Sequence, residues 1–329
     1  MMPADPNRRV SFYIDVTMQN RVRFGVMLAA LAGVFWGSMG VCAQFLFTDC
    51  GFRPIDLVGL RLIGAGLMML LIHRVIMGGS VFKPVSNRRN AIGIFIYGIG
   101  MLMAQLCFFI CIRESNAGTA TILVATTPLF ILLWEALVEG RHVSAREIFC
   151  FTLASVGITL IVTKGDFSSL SLSLLGVAGG LASAVFSAFC TLQPRGLISR
   201  IGVVPLVGWG LLAGGISVSC IFPPWESQAV WSPAALGAYA VVVLIGTVGA
   251  FWAYFESTRW IPASTVGLLT CFEPLTACLL SVLLLGVSFG AWEAVGAACV
   301  LCNVILLSSK SGGSVRQRRR SAQKDENAD

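Results

Sequence analysis

Apolar residues run along this chain in long unbroken blocks, not in the alternating or three-to-four rhythm that gives a soluble element one wet face. A bilayer core takes roughly 20 apolar residues to cross as a helix. Blocks of about that length occupy 24–47, 56–78, 91–112, 117–138, 146–163, 172–192, 203–222, 234–255, 263–285 and 288–308. Residues that stop helices stand between them, at Arg53-Pro54, Gly78-Gly79, Lys83-Pro84, Gly165-Asp166, Pro223-Pro224 and Ile261-Pro262. Several connections are so short that successive helices must run antiparallel. The pattern predicts an all-α polytopic membrane protein with ten transmembrane helices.

Composition excludes the soluble alternative. Hydrophobic residues make up 56% and charged residues 12%, against roughly 25% charged in a typical globular chain. With mean hydropathy at +0.83, lipid is the solvent that most of this surface suits. The net charge of +7 raises nucleic acid as a partner, but Lys and Arg lie in short connections and at the ends. They form no continuous basic face with interleaved aromatics, so nucleic acid is not an expected partner. Of the eleven cysteines, Cys42, Cys107, Cys111, Cys190, Cys271 and Cys278 fall inside apolar blocks, where they act as small hydrophobes. Cys299 and Cys302 form a C-x-x-C inside another such block with no second pair nearby, which predicts packing and no metal site.

The charges orient the helices. With both termini cytoplasmic, 19 of the 23 Lys and Arg fall on the inner side. Only Arg53, Arg113 and Lys164 lie outside, and Arg61 is inside a helix. Residues 1–23 are polar and Arg-bearing, with no early apolar core or cleavage site, and read as a cytoplasmic N-terminal segment. Residues 309–329, with Arg318-Arg319-Arg320, read as a disordered basic cytoplasmic tail.

The halves of the chain echo one another. Residues 57–66 read LVGLRLIGAG and 206–215 read LVGWGLLAGG. Ala117, Thr119, Pro128, Gly140 and Glu147 correspond at one constant offset to Ala263, Thr265, Pro274, Gly286 and Glu293. Gly33 and Gly37 correspond to Ser183 and Ser187, each a small-x-x-x-small pair that lets helix backbones approach. The expected units are therefore two five-helix repeats, 24–163 and 172–308. An odd helix count per repeat makes them inverted, and such pairs form a pathway that opens to either face.

Ionisable side chains deep in a bilayer cost several kcal/mol and are kept where they face a cavity or a partner. Glu273 lies near the middle of the ninth span, directly before Pro274, and could bind an amine or take up protons. Arg61 lies near the outer end of the second span. Either it snorkels to the surface, or it holds a substrate carboxylate or an acidic helix end. Trp36, Tyr97, Gln105, Thr127, Trp252 and Tyr254 are candidates for an aromatic and polar cavity wall. Pro128 and Pro274 are expected helix kinks, each removing a backbone donor. Glu135, His73 and His142 fall at the inner rim, unsuited to a midplane relay.

Several of these segments resemble the EamA-like members of the drug/metabolite transporter superfamily. FWGS at 35–38 resembles that family's first-helix motif, and Arg61 the arginine of its second helix. ATTPLFILL at 125–133 and CFEPLTACLLSVLLLG at 271–286 are similar to its fourth- and ninth-helix signatures. The family's Gly-Glu pair is reversed here as Glu139-Gly140 and replaced by Gly286-Val287. The resemblance implies alternating access around a central site in a multi-pass protein of the bacterial inner membrane, and it implies export.

No G-x-S-x-G, no H-E-x-x-H and no Gly-rich loop ending in Lys-Ser/Thr is present, so neither an enzyme nor a built-in ATPase is expected. No cofactor or metal is expected either. The partners expected are a small-molecule substrate, protons or a counter-substrate, the lipid bilayer and, as an option, a second copy in a homodimer. One carboxylate and one arginine suit an amino acid or amphipathic amine as cargo. The alternative is a membrane receptor or scaffold that keeps the fold without transport.

Overall fold

The computed structural model describes residues 6–138, 140, 144–164, 173–261, 265–266, 269–302 and 305–306, and among them every regular element is helical. We label α1 (Pro6–Thr48), α2 (Pro54–Val75), α3 (Arg88–Glu114), α4 (Ala117–Val124), α5 (Thr127–Leu137), α6 (Ala145–Thr163) and α7 (Leu174–Leu192). They are followed by α8 (Val203–Ile221), α9 (Pro233–Ser257), α10 (Phe272–Leu285) and α11 (Ala291–Cys302). Seven described helical segments, with α4 and α5 taken as one, are long and apolar enough to cross a membrane. The other three expected spans fall on the 19-residue α6 and on the shorter apolar helices α10 and α11. The α1 helix runs back to Pro6, so helical backbone continues into the segment expected only to be polar. Glu139, His142 and the tail lie outside the described residues.

Local chemistry sets the helix ends. Pro54, Pro128 and Pro233 open their helices, where a missing N–H costs nothing. The Asn116 side chain accepts from Thr119 N at 2.8 Å, capping α4. The Glu147 carboxylate accepts from Ser144 N at 2.7 Å, completing a capping box on α6. Gly286 ends α10 at φ 64°, the left-handed conformation that glycine takes without strain.

Both repeats break a helix within one residue of the same register. Between α4 and α5 the chain turns at Ala125-Thr126, and before α10 it turns at Thr270-Cys271. Pro128 and Pro274 sit in the first turns that follow, where each denies a hydrogen bond to the preceding turn. In the first repeat the freed carbonyls are answered by hydroxyls. Thr126 Oγ1 donates to Leu123 O, and Thr127 Oγ1 donates to Val124 O, both at 2.6 Å. Such repair is what permits a broken helix in a membrane. A third irregularity lies in α9, where Val241–Gly249 is π-helical.

The duplicated blocks pack against each other. A Cβ placed on Gly66 would lie 2.7 Å from Leu212 N, and one on Gly215 would lie 2.8 Å from Ile63 N. Hydrogen alone fits at both positions, so α2 and α8 meet backbone on backbone. Elsewhere the repeats exchange partners: α1 packs on α9 and α10, and α7 packs on α3, α4 and α5. These crossings surround a space between the halves.

Candidate functional site

That space is a cavity of about 490 Å³ bounded by both repeats. Trp36, Arg61, Tyr97, Gln105, Thr127 and Glu273, scattered over five spans in the sequence, all line it. Pro194, Ile198 and Val203 line it at the α7–α8 connection. Among the described residues, none of α6 or α11 lines it.

Arg61 is 2% exposed, so it does not snorkel. Its Nε donates to Thr247 Oγ1 at 2.8 Å and its Nη1 to Gln105 Oε1 at 2.7 Å. The guanidinium carbon lies 5.4 Å from the centre of the Phe109 ring, a cation–π contact. All three partners are neutral, and among the described residues no acidic side chain lies within ion-pair distance of Arg61. Among the described residues Nη2 has no hydrogen-bond partner. A buried cation held only by neutral groups leaves its charge uncompensated at close range.

Glu273 is the second residue of α10. Its backbone N–H bonds Thr270 O at 2.8 Å, while its carboxylate has no hydrogen-bond partner among the described residues and faces the cavity. The first turn of a helix favours negative charge there. The helix is held in place by α1: a Cβ on Gly33 would lie 3.1 Å from Glu273 N, and one on Gly37 would lie 2.5 Å from Glu273 O. The small-residue pair read in the sequence is thus the seat of the carboxylate-bearing turn.

Aromatic rings make much of the remaining wall. Trp36 meets Phe251 with centroids 5.8 Å apart and Tyr254 at 5.6 Å, separations that favour edge and tilted pairs. Tyr97 is buried, and its ring lies over Gly210. Trp252 does not join this group. It is 53% exposed on the outside of the bundle, while Tyr254, two residues on, lines the cavity. Residues two apart on a helix point about 200° from one another. Glu135 pairs with Arg195 at 3.4 Å outside the lining, and His73 is at the end of α2, away from it. Cys50, in the connection between α1 and α2, is buried.

The sequence reading missed Thr247, Phe109, Ser183 and Phe255. Thr247 stands alone in the run VVVLIGTVG, and nothing there marks it as a partner for a residue 186 positions away. Ser183 was legible only as a small residue; its hydroxyl donates to Ala104 O at 2.7 Å and joins α7 to α3.

Two helical repeats thus exchange partners around a cavity that holds a cation and a carboxylate without a direct ion pair between them. Residues 23–163 and 174–309 each match the EamA-like transporter family, and the chain belongs to it. It is an integral, multi-pass membrane protein. An uncharacterized inner membrane transporter of Salmonella typhimurium strain LT2, YicL, is 34% identical over 301 residues, covering 91% of this chain and 99% of that one. The pseudopaline exporter CntI of Pseudomonas aeruginosa is 24% identical over 228 residues, covering 69% of this chain and 75% of its own. A solved crystal structure of a protein 15% identical superposes with a TM-score of 0.59 over 86% of this chain and 95% of that one, a likeness of fold alone.

Proposed function

We propose that this chain is a secondary transporter that exports a small organic metabolite carrying an amine, an amino acid or an amphipathic amine. It does so by alternating access between two inverted repeats that together hold ten transmembrane helices. The observation that carries this reading is the pair of charges in one cavity, Arg61 and Glu273, each facing the same space without contacting the other. A ligand with opposite charges can answer both, and the rings of Trp36, Phe251 and Tyr254 suit an apolar body.

The loop charges support cytoplasmic termini in a bacterial inner membrane. In that orientation the Pro194–Ile198 end of the cavity lies on the cytoplasmic side, a placement that suits loading from inside. The name of CntI as an exporter supports the outward direction. Protons or a counter-substrate would drive the cycle.

Substrate-dependent flux in proteoliposomes, run over a metabolite panel under pH, potential and counter-substrate gradients, tests the reading. Glu273→Gln should fold normally and lose flux or its dependence on pH. Unchanged kinetics at every pH would remove Glu273 from the mechanism. A wild-type protein that moves nothing in the panel would return the chain to a receptor or scaffold.

A further inference from the structure

We propose that Thr247, carried on the π-helical stretch of α9, is a positioning residue that sets Arg61 and Gln105 as a paired carboxylate-binding subsite in the cavity wall. The inference rests on the transport reading above and names which end of the cargo meets which wall.

Thr247 is fixed in its role by the backbone around it. Its hydroxyl donates to Val242 O at 2.9 Å, the carbonyl five residues back. In an α-helix that hydroxyl would find the carbonyl three or four residues back; the wider π turn brings the fifth within reach. With its hydrogen committed there, Oγ1 has only lone pairs to offer, and Arg61 Nε takes one at 2.8 Å. The hydroxyl is a dedicated acceptor and is fully buried.

The consequence passes to the next pair. A guanidinium is a flat fork, so fixing Nε fixes the directions of Nη1 and Nη2. Nη1 meets Gln105 Oε1 at 2.7 Å. That contact spends the amide's acceptor end and turns its Nε2 donors away from Arg61. Among the described residues neither Arg61 Nη2 nor Gln105 Nε2 has a hydrogen-bond partner, and both residues line the cavity. Two unspent donors on one wall, one of them cationic and without a contacting acid, match the two oxygens of a carboxylate. Glu273 offers the opposite charge elsewhere in the same cavity.

The test uses the purified full-length protein in detergent micelles and two probes with the same phenylethyl body: hydrocinnamate, which carries only a carboxylate, and phenethylamine, which carries only an amine. Affinities come from ligand-dependent thermal shifts. Thr247→Val keeps the shape and removes the acceptor. It should weaken hydrocinnamate about ten-fold, the scale of one hydrogen bond to a charged group, and leave phenethylamine within about two-fold. Thr247→Ser restores the hydroxyl and should recover most of the hydrocinnamate affinity. Equal losses for both probes, no loss for hydrocinnamate, or a serine variant as weak as the valine one would each overturn the assignment. Should Thr247→Val fail to fold, Gln105→Met must show the same selective loss, and a non-selective effect overturns the proposal equally. Wild-type protein that binds phenethylamine but no hydrocinnamate removes the carboxylate subsite and leaves the carrier reading standing. That reading is judged separately by flux over the metabolite panel.

Discussion

Gly37→Ala adds a single methyl group at the tightest point of the α1–α10 crossing. Its Cβ would lie 2.5 Å from Glu273 O, 2.8 Å from Thr276 Cβ and 3.0 Å from Ala277 N. Ordinary contact begins roughly an ångström further out, and two of the three atoms are backbone, which cannot swing aside. The helices must separate, at a cost of about 1–3 kcal/mol by the usual scale of overpacking. Alanine's better helix propensity returns about 0.5–1 kcal/mol, for a net loss of about 0.5–2 kcal/mol. For a chain of 329 residues in micelles at a fixed scan rate this corresponds to a drop of roughly 1–3 °C in melting temperature. The matched control is Gly237→Ala in α9, exposed and with no atom within 4 Å of the added Cβ. It should hold or raise the melting temperature. Gly37→Ala melting at or above wild type, beside an unchanged Gly237→Ala, would refute the claim that backbone contact at this crossing seats Glu273.

Two further outcomes follow from the cavity and the topology. Trp36→Leu should weaken substrate binding several-fold, because it removes ring contacts worth about 0.5–1.5 kcal/mol each. Trp252→Leu, outside the lining, should leave flux within about two-fold; equal effects from the two in a flux assay would mean the cavity wall is misassigned. Reporter fusions after residue 329 should read cytoplasmic, and insertions between Pro223 and Ser232 should read external. The reverse pattern would invert the direction assigned to this conformation.

Seven of the expected spans were legible because a membrane helix announces itself by length and composition, and the blocks at 57–66 and 206–215 declared the duplication that α2 and α8 express as a crossing. Glu273 and Arg61 stood out because charge is rare in such blocks. What failed was the face. A helix that is apolar all round carries no stripe to show which side meets lipid, so Trp252 and Tyr254 looked equivalent and point opposite ways. The π turns of α9 left no mark either, since VVVLIGTVG is as apolar wound at either pitch. Burial of Arg61 depended on Thr247, Gln105 and Phe109, which are brought to it only by tertiary packing.

The separation of Arg61 from Glu273 bears on what can drive the carrier. With both side chains ionised the empty cavity is neutral as a whole, and a bound zwitterion leaves it neutral. A transmembrane voltage acts on moved charge, at roughly 2.3 kcal/mol per elementary charge per 100 mV. It then does no net work on the binding site, empty or loaded. A lone amine breaks that balance, because it adds one charge to the loaded form and makes its passage sensitive to voltage. For a zwitterionic cargo exchanged against a neutral counter-substrate, uphill movement must draw on a chemical gradient and the membrane potential is a spectator. A proton carried back on Glu273 restores one moved charge and with it sensitivity to voltage.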